Sequence, residues 1–263
     1  MTQRMPSLFV SHGSPMTAIM DTPTHRWFKT FAAEIPRPHA ILIASAHFES
    51  DAPVFTSDAR PEMIYDFGGF PRALHEIVYA APGDPDLALQ AAQMVHAAGF
   101  RTGLVQDRGF DHGTWVPLKL MYPDADIPVV QISVQHEEGA AYHIELGRAL
   151  APLREDGLLI MGSGSLTHNL WELSRNRGDV NAKAKDWVVD FTEWVAQKVE
   201  AGESEEIARY RERAPFAKEN HPRDEHFLPL PFAMGAGGEN MKGRRVHASY
   251  DYGLLAMDAF LFE

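Results

Sequence analysis

Three histidines follow short apolar runs of the chain, where they could bind a metal ion or transfer protons. His12 comes directly after Ser7–Ser11 (SLFVS), His47 follows Ala40–Ala46 (AILIASA), and His168 stands six residues after LLIMG. Each has Gly or Ser nearby, and glycine lets the backbone approach closely. Functional groups gather at the carboxyl ends of strands in open α/β sheets, so we expect these side chains to meet. Imidazole is a common ligand of zinc and suits ferrous iron equally well.

Two further histidines are candidates for the same site. His112 lies in FDHGTW, and His226 lies in HPRDEHFLPL, directly after Glu225. His112 could equally cap a helix predicted from residue 114. Glu225 is a possible carboxylate ligand, although a solvated charge between Asp224 and His226 is the simpler interpretation. We interpret the remaining histidines (residues 25, 39, 75, 96, 136, 143, 221 and 247) as structural or solvated.

The composition restricts the ligands and the partners. The chain has no cysteine, so a metal must be held by His, Asp or Glu. A net charge of −12 argues against a nucleic-acid partner, because affinity for phosphates comes largely from Lys and Arg. No apolar run reaches the roughly 18 residues of a membrane span, so no membrane association is expected. The N-terminus does not resemble a signal peptide, so the cytoplasm is the default expectation.

Strands and helices alternate through most of the chain. The pattern predicts strands over 7–11, 40–46, 53–56, 103–106, 127–134 and 157–162, with further strands near 244–250 and 254–262. It predicts helices over 23–34, 84–98, 114–121, 138–154 and 181–200, and an exposed charged helix over 203–213. This alternation predicts an α/β fold, in which a central, mostly parallel or mixed sheet is flanked by helices. We see no linker, so residues 1–263 are expected to form a single domain.

Several common catalytic motifs are absent. There is no G-x-S-x-G segment, and the GSGS of residues 162–165 lacks the Lys of a phosphate-binding loop. His136-Glu137 begins like H-E-x-x-H, but residue 140 is Ala. The histidines alone leave open a redox enzyme, a zinc-dependent hydrolase and a non-catalytic metal-binding protein. The aromatic loop with Tyr65, Phe67 and Phe70 could cover a flat apolar substrate or could equally pack into the core.

Seven segments together resemble the class III extradiol ring-cleavage dioxygenases, in particular the 4,5-DOPA dioxygenase branch. They run in the family's order from the first strand almost to the C-terminus: SHGSP (11–15), SAHF (45–48), YDFGGFP (65–71), FDHGTWVPL (110–118), MYPDADIPVVQIS (121–133), GSGSLTHNL (162–170) and HPRDEHFLPL (221–230).

The resemblance implies that a small aromatic diol, a catechol of the DOPA type, is opened with O₂ to a semialdehyde. It implies metal positions at His12, His47 and His226. It implies that His168 is an acid/base or a further metal ligand, and that His112 lies near the substrate. The wider family commonly uses two histidines and a carboxylate; here the third position is His226, with Glu225 beside it. Non-haem Fe(II) is the expected cofactor, whereas bound Zn(II), which has no redox chemistry, would not support the reaction.

Overall fold

The computed structural model describes residues 4–175, 178–239 and 241–263. The described strands are β1 (Ser7–Ser11), β2 (Ala40–Glu49), β3 (Val54–Thr56), β4 (Gly103–Val105), β5 (Val129–Val134), β6 (Leu158–Gly164), β7 (Arg244–His247), β8 (Tyr250–Asp251), β9 (Leu255–Ala256) and β10 (Ala259–Phe262). The described α-helices are α1 (Pro23–Phe31), α2 (Pro85–Ala97), α3 (His112–Met121), α4 (Gly139–Leu150), α5 (Leu170–Arg175), α6 (Asp186–Ala201), α7 (Ser204–Ala208), α8 (Tyr210–Arg213), α9 (Ala217–Asn220) and α10 (Pro229–Gly237).

One mixed sheet organises the chain and confirms the predicted fold class. Its strand order is β4-β3-β5-β2-β6-β1-β10-β7. The four central strands β5, β2, β6 and β1 are parallel to one another. Beyond them, β3 pairs antiparallel with β5, and β10 pairs antiparallel with β1. The carboxyl ends of the four central strands therefore lie at one edge of the sheet, which is where such folds place functional groups.

Helices cover both faces of the sheet. On one face, α1 and α3 pack Phe28, Phe31 and Trp115 against apolar residues of β1, β2 and β6. On the other face, α2, α4 and α10 pack against β2, β5 and β6, and α6 extends this layer around Phe191. The central strands are buried on both sides and consequently read as continuous apolar runs. None of the helices in the described residues is long and apolar enough to cross a bilayer.

Some element boundaries differ from the sequence prediction. The helix predicted over 181–200 begins at Asp186, because the preceding backbone groups bond elsewhere, as Lys185 N does to Gly253 O. The predicted exposed helix over 203–213 is two short helices that bury Ile207 and Tyr210. The helix predicted over 138–154 ends at Leu150 and continues as a 3₁₀ helix.

The buried Arg154 connects Met5, Phe262 and α10 through hydrogen bonds. Its guanidinium donates to the backbone oxygens of Met5 (2.7 Å), Ala236 (3.0 Å), Gly237 (2.6 Å) and Phe262 (3.1 Å). A buried carbonyl oxygen that loses its donor costs about 1–3 kcal/mol. We expect Arg154→Met to lower the free energy of unfolding by roughly 3–5 kcal/mol in urea titrations. The exposed Arg26→Met should change it by less than about 0.5 kcal/mol, and an equal effect of the two would contradict this role.

Candidate active site

The strands β1, β6 and β2 bring His12 and His47 together. Ser163 on the middle strand β6 lies opposite both Val10 of β1 and Ser45 of β2, each two residues before one of the histidines. His12 follows β1 directly, as predicted. His47 lies inside β2, because that strand runs to Glu49 rather than ending at Ala46.

A bulge in β2 places His47. Between the paired residues Ala44 and Glu49 of β2 the register on β5 advances only from Ile132 to Val134. Bulges of this kind re-aim side chains and are frequent beside active sites. The bulge therefore explains how a residue within a central strand reaches the edge of the sheet.

The Nε2 atoms of three histidines converge at this edge. His47 Nε2 lies 3.2 Å from His12 Nε2 and 3.3 Å from His226 Nε2. His12 and His226 are almost wholly buried. The ligand atoms of these three side chains lie within 4.8 Å of one another, so the group could hold a metal ion.

An oxygen atom lies at the outer nitrogen, Nδ1, of each of these rings. His12 Nδ1 is 3.0 Å from Ser163 Oγ, and His226 Nδ1 is 2.8 Å from Glu225 Oε1. His47 Nδ1 is 3.4 Å from Asp66 Oδ2. Ser163 Oγ donates its own proton to Gly113 O, so towards His12 it acts as the acceptor. An ionised carboxylate only accepts, so Nδ1 carries the proton on His12 and His226. The Asp66 charge near His47 Nδ1 favours the same tautomer there, and each Nε2 then presents its lone pair.

These rings are neutral at neutral pH. Burial, together with the nearby His112, lowers the pKa of His47 to about 4. Burial and neighbouring histidines also hold the pKa values of His12 and His226 well below the usual range. Desolvation disfavours the charged imidazolium, and like charges add to the effect.

The GSG of residues 162–164 explains how His226 reaches the site. A Cβ on Gly162 would lie 1.9 Å from Pro229 O, and one on Gly164 would lie 2.1 Å from His226 O. Glycine at both positions lets the first residue of α10 and the segment before it lie directly on β6. Ser165 N then donates to His226 O at 2.9 Å. The motif thus serves close backbone packing.

His112 is the first residue of α3, not part of a loop before a helix at residue 114. Asp111 caps the helix by accepting from Thr114 N at 3.1 Å. Asp111 also accepts from Ser45 Oγ and Arg108 Nη2, and Arg108 Nη2 lies 3.0 Å from His47 O. The His112 ring lies 4.0 Å from the His47 ring, measured between centroids. The cap therefore fixes His112 beside the three converging histidines.

His168 is stacked on His226. The two rings are stacked with centroids 3.5 Å apart, and His168 Nδ1 lies 3.9 Å from Glu225 Oε1. Burial and nearby histidines lower the pKa of His168 to about 3. Burial raises the pKa of Glu225. The side chains of His168, Glu225 and His226 form a second group with ligand-like spacing.

The aromatic loop lies against the site. The Phe67 ring meets the His112 ring edge-on, with centroids 5.8 Å apart, and also contacts Phe70 and Trp115. Tyr65 Oη donates to Ile77 O at 2.8 Å, which anchors the loop on the protein. The loop therefore packs on the core and also borders the histidines.

His221, which the sequence analysis interprets as structural or solvated, is fully buried and donates from Nε2 to Leu166 O at 2.8 Å. Two other residues of the site were not found from the sequence. Asp66 and Ser163, which face the outer nitrogens, were not predicted. Asp66 carries a weak sequence signal, since it is the acidic residue inside the aromatic loop. Ser163 carries none, because only the strand register shows that it faces His12.

Comparison with known proteins gives the class of enzyme. The model of the catalytic LigB subunit of aromatic ring-opening dioxygenase matches residues 6–261. The chain belongs to this family. It is therefore an oxidoreductase of the extradiol dioxygenase type, as the seven segments predicted. The match gives no support to the zinc-dependent hydrolase or the non-catalytic protein that the histidines alone left open.

Individual relatives agree with the family. The chain is 42% identical over 260 residues to a 4,5-DOPA dioxygenase extradiol of Beta vulgaris, covering 97% of this chain and 96% of the relative. It is 38% identical over 237 residues to a protein of the same name from Escherichia coli (strain K12), covering 89% and 85%. The crystal structure of an uncharacterized protein from Escherichia coli K12 superposes with a TM-score of 0.80 at 32% identity, covering 99% of this chain and all of that one.

Proposed function

We propose that this dioxygenase opens the ring of a small DOPA-like catechol beside its diol, with O₂, to a semialdehyde. We further propose that residues 1–263 act as one catalytic domain and that His12, His47 and His226 hold a metal ion. The observation that carries the proposal is the convergence of three Nε2 lone pairs whose rings are each oriented by an oxygen at Nδ1.

The donor set fits a metal ion. Ligand nitrogens about 2.0–2.1 Å from one ion lie roughly 3.0–3.4 Å apart, close to the 3.2 and 3.3 Å between the Nε2 atoms here. Three lone pairs that face one another repel, and a cation between them removes the repulsion. Histidine ligands of metals usually donate from the outer nitrogen to such an acceptor, which fixes the tautomer and raises the basicity of the ligand.

Non-haem Fe(II) is the proposed cofactor. When bound, ferrous iron would supply open positions for the diol and O₂ together with the redox capacity that the reaction requires. Zinc would occupy the same three nitrogens without redox capacity, so we expect zinc-loaded protein to be inactive.

His168 is the proposed acid/base. Its depressed pKa leaves the ring neutral at neutral pH, with a lone pair that can accept a proton from a substrate hydroxyl. Its ring is stacked on the His226 ring, and its Nδ1 lies 3.9 Å from Glu225 Oε1, beyond hydrogen-bonding distance. It is not a member of the three-nitrogen cluster. A role for His168 as a fourth ligand is the alternative. His112, beside His47, would support the substrate or an oxygen species.

The substrate class follows from the relatives and from the aromatic loop. Relatives named 4,5-DOPA dioxygenase extradiol cover almost the whole chain. Phe67 presents an aromatic ring beside His112, where it could pack on the ring of a catechol. Such an aromatic contact contributes about 0.5–1.5 kcal/mol beyond the area that it buries.

We expect Phe67→Ala to raise KM for a catechol roughly tenfold, because the substrate loses one aromatic contact. Steady-state rates over a range of substrate concentrations would measure this. The exposed Leu89→Ala on α2 is the matched control and should leave KM unchanged. A change in kcat alone would place Phe67 outside substrate binding.

Reconstitution tests the proposed function. Metal-free protein would be loaded anaerobically with ferrous iron or with zinc and then given L-DOPA and a panel of other catechols in air. We expect O₂ consumption and a yellow product with iron and neither with zinc. No turnover of any catechol by the iron-loaded protein would contradict the proposal.

A further inference from the structure

The carboxylate of Asp66 joins two histidines of the site. Its Oδ1 accepts from His112 Nδ1 at 2.8 Å and from His112 N at 3.1 Å. Its Oδ2 lies 3.4 Å from His47 Nδ1. The three side chains form a third group with ligand-like spacing, distinct from the Nε2 cluster.

This arrangement favours a proton on the Nδ1 of both rings. A carboxylate can only accept, so His112 Nδ1 donates to Asp66 Oδ1. The negative charge 3.4 Å from His47 Nδ1 favours the proton on that nitrogen as well. On the neutral His47 ring, Nε2 is then the unprotonated nitrogen, and it is the atom that lies in the Nε2 cluster.

Two anchors on the aromatic loop directly precede Asp66. Before it, Ile64 N donates to Phe110 O and Trp115 Nε1 donates to Ile64 O. Tyr65 provides the second anchor through its bond to Ile77 O. Gly68 and Gly69 follow, and a Cβ on either would meet nothing within 4 Å. The loop that carries Phe67 to the site therefore also carries the acceptor that orients two of its histidines.

We propose that Asp66 is a positioning residue, which fixes the tautomer of His47 and the orientation of the His112 ring and makes the alignment of the site depend on the position of the aromatic loop. Its effect on metal affinity rests on the metal site of the proposed function. Its effect on the His47 tautomer does not.

Substitution of Asp66 by asparagine should affect the two histidines differently. In Asp66→Asn, the amide oxygen can keep both bonds to His112, and the amide NH₂ then faces His47 Nδ1. An NH₂ group only donates, so the His47 proton moves to Nε2 and its lone pair is lost to the cluster. Asp66→Ala removes the acceptor from both rings. Asp66→Glu keeps a carboxylate on a loop that has open space at Gly68 and Gly69. The exposed Glu62→Gln, four residues earlier, is the matched control.

The test uses ¹⁵N NMR of the histidine rings in metal-free protein, and zinc affinity from competition with a chelator. We expect the His47 proton on Nδ1 in the unchanged protein and in Glu62→Gln, and on Nε2 in Asp66→Asn. Zinc affinity should fall about 10- to 100-fold in Asp66→Asn, as for other outer partners of histidine ligands. Asp66→Glu should recover affinity, which a general loss of folding would not allow.

The proposal is overturned if Asp66→Asn has the His47 tautomer and the zinc affinity of Glu62→Gln. Neither the tautomer nor the zinc affinity requires turnover. An inactive protein would therefore contradict the proposed function, and the role of Asp66 could still be tested. Failure of the unchanged protein to bind zinc would contradict the proposed metal site, and the tautomer measurement would still decide the role of Asp66.

Discussion

Replacing His47 with alanine should abolish stable metal binding and turnover. The substitution removes the central Nε2 of the cluster, which lies 3.2 Å from His12 Nε2 and 3.3 Å from His226 Nε2. The loss in affinity should exceed the roughly 10- to 100-fold that an outer-partner substitution costs. Metal content after anaerobic loading and desalting measures the effect. His12→Ala and His226→Ala should behave in the same way.

The exposed His96→Ala on α2 is the matched control and should keep both metal and activity. Circular dichroism would show that the variants fold. Full metal content in any of the three alanine variants would remove that residue from the ligand set. Glu225→Gln tests the alternative in which Glu225 is the third ligand. We expect it to weaken metal binding without abolishing it, because Glu225 Oε1 contacts the outer nitrogen of His226 and not the Nε2 cluster. Complete metal loss there, with retention in His226→Ala, would make Glu225 the ligand.

His168→Ala should keep the metal and lose turnover. General acid–base catalysis contributes about 10²–10⁴-fold, so kcat should fall by that amount while metal content stays at the level of the unchanged protein. The reason is positional, since His168 is stacked on His226 and does not join the Nε2 cluster. Rapid-mixing measurement of product formation under saturating O₂ would give kcat.

His168→Gln, which keeps a polar side chain without a proton-accepting nitrogen, should be equally slow. If either variant instead loses the metal, His168 is a fourth ligand and the proton acceptor must be sought elsewhere. His112, whose Nδ1 is bonded to Asp66, would then be the next residue to substitute.

The central strands and the first two histidines could be predicted because their signals are local. Buried parallel strands read as continuous apolar runs, and His12 comes directly after such a run. Helix α10 had no such signal. It is buried along its whole length between β6 and α4, so it has no polar face from which a helical period could be read.

The partners of the histidines could not be predicted, because they depend on register. Ser163 faces His12 only because β6 lies between β1 and β2. Asp66 reaches His47 and His112 across 19 and 46 residues of chain, through a loop anchored at Ile77 and Phe110. Glu225 orients His226 because it faces Nδ1 of that ring, and the sequence does not show which ring nitrogen it faces.

The most direct test of the proposed reaction is the fate of the oxygen atoms. Iron-loaded protein would be given a catechol under ¹⁸O₂ in ordinary water, and the ring-opened product analysed by mass spectrometry. Ring opening beside the diol inserts both atoms of O₂, one in the new carboxylate and one in the aldehyde. The aldehyde oxygen exchanges with water, so we predict label retained in the carboxylate. A product that carries oxygen from water alone, or an unopened ring, would contradict the account.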